Sequence, residues 1–331
     1  MTAVAAAVAD WRAKSASQTR LAFGQALLEV AARDPKAVVL SADTQDLLGI
    51  RPWIERHRER FVEVGIAEQN VIGAAAGLAT TGLHPYVCCY APFITARSME
   101  QVRNDVAYAK QRVVIGAAAS GISLGVAGGT HHALEDLALM RSLPNLTVIV
   151  PADVDEAYQA TLATLDIDGP VYIRLGGRAE EPAVSDPSAP FRLGRATELR
   201  AGTDVAVIAC GCMVEMAVRA SDTLRAEGMG VRVLNMHTIK PLDRDAVLRA
   251  AAETRGIVTA EEHHLAGGLG GAVAELLAVE RPTRMRMIGM PDTFAAIGPT
   301  VALRAKYGMS AEAIAAACRD LLGARPPAAP A

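Results

Sequence analysis

Aromatic residues are scarce in this chain, at 4% of 331 positions, with two Trp, six Tyr and five Phe. A chain so poor in large rings builds its core from aliphatic side chains, and 51% of its residues are hydrophobic. Charge of one sign is missing too. Its 33 basic and 36 acidic residues leave a formal net charge of −3, and no block of like charge stands out. Neither nucleic acid nor an anionic membrane surface is an expected partner. Cysteine numbers only five, as Cys88–Cys89, Cys210–Cys212 and a solitary Cys318, none at CxxC spacing. That odd count reads as reduced thiols rather than a disulfide framework. The opening MTAVAAAVADWRAK has no basic leader and carries Asp10, so no secretory signal is expected. One stretch, Val71 to Ala96, lacks Asp, Glu, Lys and Arg, but Gly73, Gly77, Gly82, His84 and Pro85 interrupt it. A buried helix followed by a buried strand explains it better than a membrane span. These absences together predict a soluble, cytoplasmic protein.

Short β-branched runs alternate with alanine-rich helical stretches. Strands are predicted at 38–41, 61–64, 85–90, 113–117, 147–150 and 171–175, with helices at 19–33, 67–80, 98–110 and 154–165. Pro182, Pro187 and Pro190 then mark a linker over 176–192. Alternation resumes with strands at 205–210, 231–235, 256–260 and 284–288, and helices at 214–227, 244–253 and after the glycines of 267–271. The expected architecture is α/β, two doubly wound domains each with a mostly parallel sheet. Their expected bounds are 18–185 and 190–323, with an N-terminal extension at 1–17 and a disordered tail at 324–331.

Three segments carry chemistry. Val64-Gly-Ile-Ala-Glu68-Gln-Asn70 places Glu68 where a strand gives way to a nearly uncharged helix. A lone acid there ordinarily serves the helix dipole. At the carboxyl edge of a parallel sheet it also stands where ligands bind. Gly125-Val-Ala-Gly-Gly-Thr-His131-His132 joins a glycine-dense loop to two histidines able to exchange protons near neutrality. Adjacent histidines face apart, so a metal site is a poor reading. Tyr90-Ala-Pro-Phe93, followed by Arg97, sets two of the few aromatics three residues apart, either as core filler or as a stacking platform.

Taken together, these segments resemble the transketolase family. The likeness continues through Leu134-Glu-Asp-Leu-Ala138, Leu143-Pro-Asn-Leu-Thr-Val-Ile-Val-Pro-Ala-Asp153 and Gly169-Pro-Val-Tyr-Ile-Arg174, which resemble its pyrimidine-binding domain. Thr238-Ile-Lys-Pro-Leu-Asp243, Glu261-Glu-His263 and Gly267-Gly-Leu-Gly270 resemble its C-terminal domain. Coverage runs from residue 18 to 323, and the motifs are specific in combination.

The resemblance implies thiamine diphosphate as cofactor. Glu68 matches the glutamate that hydrogen-bonds the aminopyrimidine and favours its imino tautomer, which takes the thiazolium proton. Tyr90 and Phe93 match aromatics that stack on the pyrimidine, Asp43 an acid near the cofactor and substrate cleft, and His131 a histidine that contacts substrate oxygens. Arg20 and Arg174 match two phosphate-binding arginines. The chain departs from the family at Ala119, Leu47 and Ala127, which stand at a histidine, a serine and an acid that contact substrate. Weakened phosphate selection is expected, with a specialised sugar or aldehyde as substrate, unphosphorylated or bearing another anion. Ser120, His132 or a residue of the partner subunit are candidates to restore the lost contacts.

No Gly-Asp-Gly diphosphate motif occurs in the sequence. The chain is therefore expected to be the C-terminal subunit of a split transketolase. Its expected partner is an N-terminal subunit that binds Mg2+ and the diphosphate, in an α2β2 assembly acting on sugars or sugar phosphates. Runner-up readings of the same architecture are 1-deoxyxylulose-5-phosphate synthase and the β subunit of 2-oxoacid dehydrogenases, and the Gly128–Asp136 motif favours transketolase over both. A non-catalytic scaffold and a dinucleotide binder built on 267–271 fit the motifs less well.

Overall fold

The computed structural model describes residues 17–179 and 181–323. Residues 1–16 of the expected extension, and the whole tail at 324–331, lie outside the described residues. Strands β1 (Ala37–Ser41), β2 (Phe61–Glu63), β3 (His84–Tyr90), β4 (Val114–Ala118), β5 (Thr147–Ile149) and β6 (Val171–Arg174) run parallel, in spatial order β5-β6-β4-β3-β1-β2. Next come β7 (Thr197–Arg200), β8 (Val205–Ala209), β9 (Val231–Asn235), β10 (Thr238–Lys240), β11 (Ile257–His264) and β12 (Met285–Met290). The second sheet has the order β12-β11-β8-β9-β7, and only its edge strand β7 is antiparallel. Both sheets are thus mostly parallel with interleaved helices, the α/β class read from the sequence. The reason is local: β1, β4, β6 and β8 are buried along their whole length, which only continuous apolar runs covered on both faces tolerate. The helix Thr19–Arg33 turns Ala22, Phe23, Ala26, Leu27 and Val30 inward at helical spacing. Among the described residues no helix is long and apolar enough to cross a membrane.

Three features depart from the expected pattern. The helix expected at 98–110 is instead a series of wide π-helical turns, Phe93–Arg97 and Val102–Tyr108, around one α turn at Met99–Gln101. Such turns re-aim side chains, and Phe93 and Arg97 both sit in the first. Next, β10 leaves the second half of the chain and pairs antiparallel with β5, so Thr238 faces Ile149 and Lys240 faces Val148. The segment 190–323 therefore completes the first sheet as well as building its own. Finally, the 176–192 linker is strapped down rather than loose. Asp153 caps the helix Val154–Ala163 and accepts bonds from the Val184 and Ser185 amides at 2.8 and 2.7 Å, and Glu181 accepts from the Thr19 amide at 2.9 Å.

A buried carboxyl also joins the two halves. Glu156 Oε2 accepts from the Ala152 amide at 2.7 Å, and both carboxyl oxygens accept from Asn235 Nδ2 on β9, at 2.9 and 3.1 Å. Burial pushes the Glu156 carboxyl up to about 7, against the pull of those donors. Between the ordinary carboxyl range and pH 7 the folded chain binds a proton that the unfolded chain releases, so this group's contribution to stability falls as pH rises through that window. Glu156→Gln carries no such titration. Its stability relative to the parent is expected to rise between pH 5 and pH 8, as checked by urea unfolding at both. A difference independent of pH would exclude Glu156 as a titrating site.

Candidate active site

The carboxyl ends of β1, β3 and β4 open on one edge of the first sheet, where ligands bind in parallel α/β sheets. Asp43 follows β1 with φ +57° and Ala119 follows β4 with φ +59°, both left-handed and uncommon for residues with a Cβ. Backbone strain of this kind gathers at functional edges. Asp43 is exposed there, its amide held by Glu63 Oε1 at 2.9 Å.

Glu68 opens the helix Glu68–Thr80 and is only 3% exposed. Its Oε2 accepts from Arg97 at 2.6 Å, and Arg97 itself remains 46% exposed. The Arg97 guanidinium lies 4.3 Å from the centre of the Phe93 ring, a cation–π contact. Phe93, Tyr90 and His131 then meet edge to face: centroids are 5.7 Å apart for Tyr90–Phe93, 5.7 Å for Tyr90–His131 and 5.1 Å for Phe93–His131. All three rings are half-buried, whereas core aromatics such as Tyr86 and Tyr172 are fully covered. A buried carboxyl group close to half-buried rings suits the pyrimidine half of thiamine diphosphate, whose ring nitrogen can share a proton with the carboxyl and whose flat faces can pack on aromatic side chains. Among the described residues, no group of three or more His, Cys, Asp and Glu is arranged to hold a metal.

Tyr90 also lines a cavity of about 250 Å³ with Arg20, Asp43, Leu47, Arg51 and Arg178. Arg20 donates to the Gly177 carbonyl at 2.7 Å, to the Leu47 carbonyl and to Gln18 Oε1. Burial lowers its pKa, and the like charge of Arg178 lowers it further. Arg51 is paired there with Asp46, which leaves Arg20 and Arg178 as the guanidinium groups of the lining suited to an anion.

Arg174, expected to bind substrate, does not line this cavity. It lies inside β6, 5% exposed, with Nε and Nη2 on the two Asp136 oxygens at 2.7 and 2.9 Å. Nη2 also donates to the carbonyls of Ala133 at 3.0 Å and Glu262 at 2.9 Å. Arg178, four residues on and exposed, lines the cavity with Arg20 and Arg51. Ser120 and His132 do not fill the vacated positions either. Ser120 Oγ donates to the Leu175 carbonyl at 2.7 Å, and His132, 4% exposed, turns Nε2 toward the Gly125 carbonyl at 3.3 Å. The glycines of 267–271 open the helix Leu269–Glu280, and its first amides, Leu269 and Gly270, donate to buried Glu261 at 2.7 and 2.8 Å. Those amides serve the fold rather than a dinucleotide.

Comparison with known proteins agrees with this geometry. The family description "Transketolase, pyrimidine binding domain" matches residues 15–179, and "Transketolase, C-terminal domain" matches residues 194–314. A 6-deoxy-6-sulfo-D-fructose transketolase subunit SqwH from Clostridium sp. (strain MSTE9) is 40% identical over 297 residues, covering 89% of this chain and 91% of the relative. A subunit of an apulose-4-phosphate transketolase from Phocaeicola vulgatus is 38% identical over 295 residues, covering 89% and 94%. A solved split-gene transketolase, described as an inactive beta4 tetramer, superposes with a TM-score of 0.87 at 42% identity, over 93% of this chain and 99% of that one. Two matched domains and relatives covered over most of their length lead to one assignment: the chain belongs to the transketolase family and carries its pyrimidine-binding and C-terminal domains.

Proposed function

We propose that this chain, joined to a partner subunit, catalyses thiamine diphosphate-dependent transfer of a two-carbon ketol unit from an anionic ketose to an aldehyde. The observation that carries this reading is continuity. Tyr90 touches His131 and Phe93 on one side and lines the Arg20–Arg178 cavity on the other. A cofactor ring held by Glu68 and the charged end of a substrate would therefore share one cleft. When bound, thiamine diphosphate supplies the carbon nucleophile and electron sink for breaking and forming a carbon–carbon bond.

The chain's own residues do the rest. Glu68 offers a carboxylate to a ring nitrogen and takes part in proton exchange there, in a dry setting where one hydrogen bond weighs more than in water. Tyr90 and Phe93 hold the ring by contact with its face and exclude water. His131, at the open tip of its loop, moves a proton to or from a substrate hydroxyl. Arg20 and Arg178 fix the anionic end and with it the orientation of the sugar. Mg2+ and the diphosphate fall to the partner subunit, in a proposed α2β2 assembly. The relatives' names as subunits support this division, as does the beta4 tetramer described as inactive.

The test is co-expression with a subunit carrying the Gly-Asp-Gly motif, then assay with thiamine diphosphate and Mg2+ against ketoses that are phosphorylated, sulfonated or uncharged. Ketol transfer is expected only from the assembled pair, with anionic donors preferred. Arg178→Met is expected to raise KM for them by about 10-fold or more, as one charge-assisted contact is worth about 1.5–3 kcal/mol. Turnover by this chain alone, or equal turnover of charged and uncharged ketoses, would overturn the reading.

A further inference from the structure

We propose that the C-terminal half of the chain sets the position of His131 through a clamp built on the Glu262–Arg304 ion pair and Thr300, making these three positioning residues for the loop that carries the histidine. The proposal rests on the role given to His131 above. Among the described residues, the His131 ring meets the neighbouring Thr130 hydroxyl, at 3.0 Å, and the edges of Tyr90 and Phe93. Its orientation is therefore inherited from the loop, and the loop is held from the other half of the chain.

The neck of that loop is closed by reciprocal bonds between Gly121 and Ala133, at 2.8 and 2.9 Å. Just inside the neck, both backbone groups of Ile122 are taken by the C-terminal half. Its amide donates to Glu262 Oε1 at 2.9 Å, and its carbonyl accepts from Thr300 Oγ1 at 3.0 Å. Further along, the Gly298 amide donates to the Gly125 carbonyl at 3.2 Å, and the His264 amide to the Leu134 carbonyl at 2.8 Å. Glu262 is 3% exposed, and its second oxygen pairs with Arg304, also buried. A buried ion pair is weak evidence of stabilisation, because desolvation offsets the attraction, so a positional role accounts better for its presence.

The glycines of the loop fit the same reading. A Cβ on Gly121, whose φ is +58°, would lie 2.2 Å from Glu262 Oε1, and one on Gly125 would lie 2.4 Å from the Gly298 carbonyl. At these two positions glycine admits the clamp itself. Flexibility alone would not require either glycine to lie against the C-terminal half.

The test uses the full chain assembled with its partner subunit. Thr300→Val removes one hydroxyl and leaves the ion pair intact, and Glu262→Gln keeps an acceptor for Ile122 while leaving Arg304 unpaired. In Thr300→Val, peptides within 122–135 are expected to exchange amide hydrogen about fivefold faster, as befits one lost hydrogen bond, with exchange in β1, β3 and β4 unchanged. In Glu262→Gln, which breaks a buried ion pair, the loop is expected to exchange faster still. Thr300→Val is expected to lower kcat by about the same factor and to lower the midpoint of thermal unfolding by only about 2–4 °C. In a His131→Gln background the same substitution is expected to have no further effect on kcat, since it acts through that side chain. Unchanged loop exchange in Thr300→Val overturns the clamp, and an equal loss of kcat in both backgrounds overturns its action through His131. Hydrogen exchange needs no substrate, so it decides the clamp even if the assembled pair transfers no ketol unit and the transketolase reading fails.

Discussion

In the assembled enzyme, Glu68→Gln is expected to lower kcat by about 10²–10⁴-fold, the range that a proton-transfer group contributes. The substitution keeps the size of the side chain and an oxygen able to accept from Arg97, so the local packing survives. What it removes is the capacity to exchange a proton with a bound ring nitrogen. Arg97 is left without its counter-ion, but at 46% exposed it remains solvated, and the fold is expected to persist. Steady-state ketol transfer, with thermal unfolding as the control, checks this. A Glu68→Gln enzyme with unchanged kcat would exclude Glu68 from the mechanism and leave its bond to Arg97 as a structural contact.

Arg174→Met is expected to cost about 3–5 kcal/mol of stability, the usual consequence of removing one partner from a buried ion pair. Asp136 is fully covered, and burial opposes its ionisation. The Arg174 charge and hydrogen bonds overcome that opposition and hold the carboxyl below its ordinary range. Without Arg174 the carboxylate would keep only the Tyr172 hydroxyl, at 2.8 Å, as a side-chain donor. The Ala133 and Glu262 carbonyls would each lose a buried donor as well. Urea unfolding of the purified chain measures the loss. The alternative, Arg174 as a ligand of substrate phosphate, forecasts the opposite pattern: unchanged unfolding and a raised KM.

Much of the fold was legible because parallel α/β structure is written locally. Thr19–Arg33, Val231–Asn235 and Arg244–Glu253 have the bounds that apolar period and flanking polar residues predict. Other elements were harder to read. The helix expected at 98–110 carries no proline or glycine to announce the π turn at Val102–Tyr108. The β10 strand is three residues long, too short for any period to show. The sequence pointed to Glu68, Tyr90, Phe93 and His131 through their neighbours, and the structure brings the three rings into mutual contact with Arg97 bridging to Glu68. Arg178 was missed because an arginine motif records residue type and spacing but not which side of a strand end each guanidinium occupies.

The amino-acid sequence by itself determined the α/β class, and its short motifs pointed to Glu68, Tyr90, Phe93 and His131 as the residues proposed to carry chemistry. Periodicity, turn residues and short motifs are properties of neighbouring positions, and neighbouring positions are what a single chain displays. Only the tertiary structure decided which arginine faces the cleft, that Arg174 neutralises Asp136 instead, and that Glu262 and Thr300 hold a loop about 140 and 178 residues away in the chain. Those outcomes depend on burial and on partners distant in sequence. A charged group's role is set by whether water or a counter-charge surrounds it, and that is settled when the sheets and the loop close together.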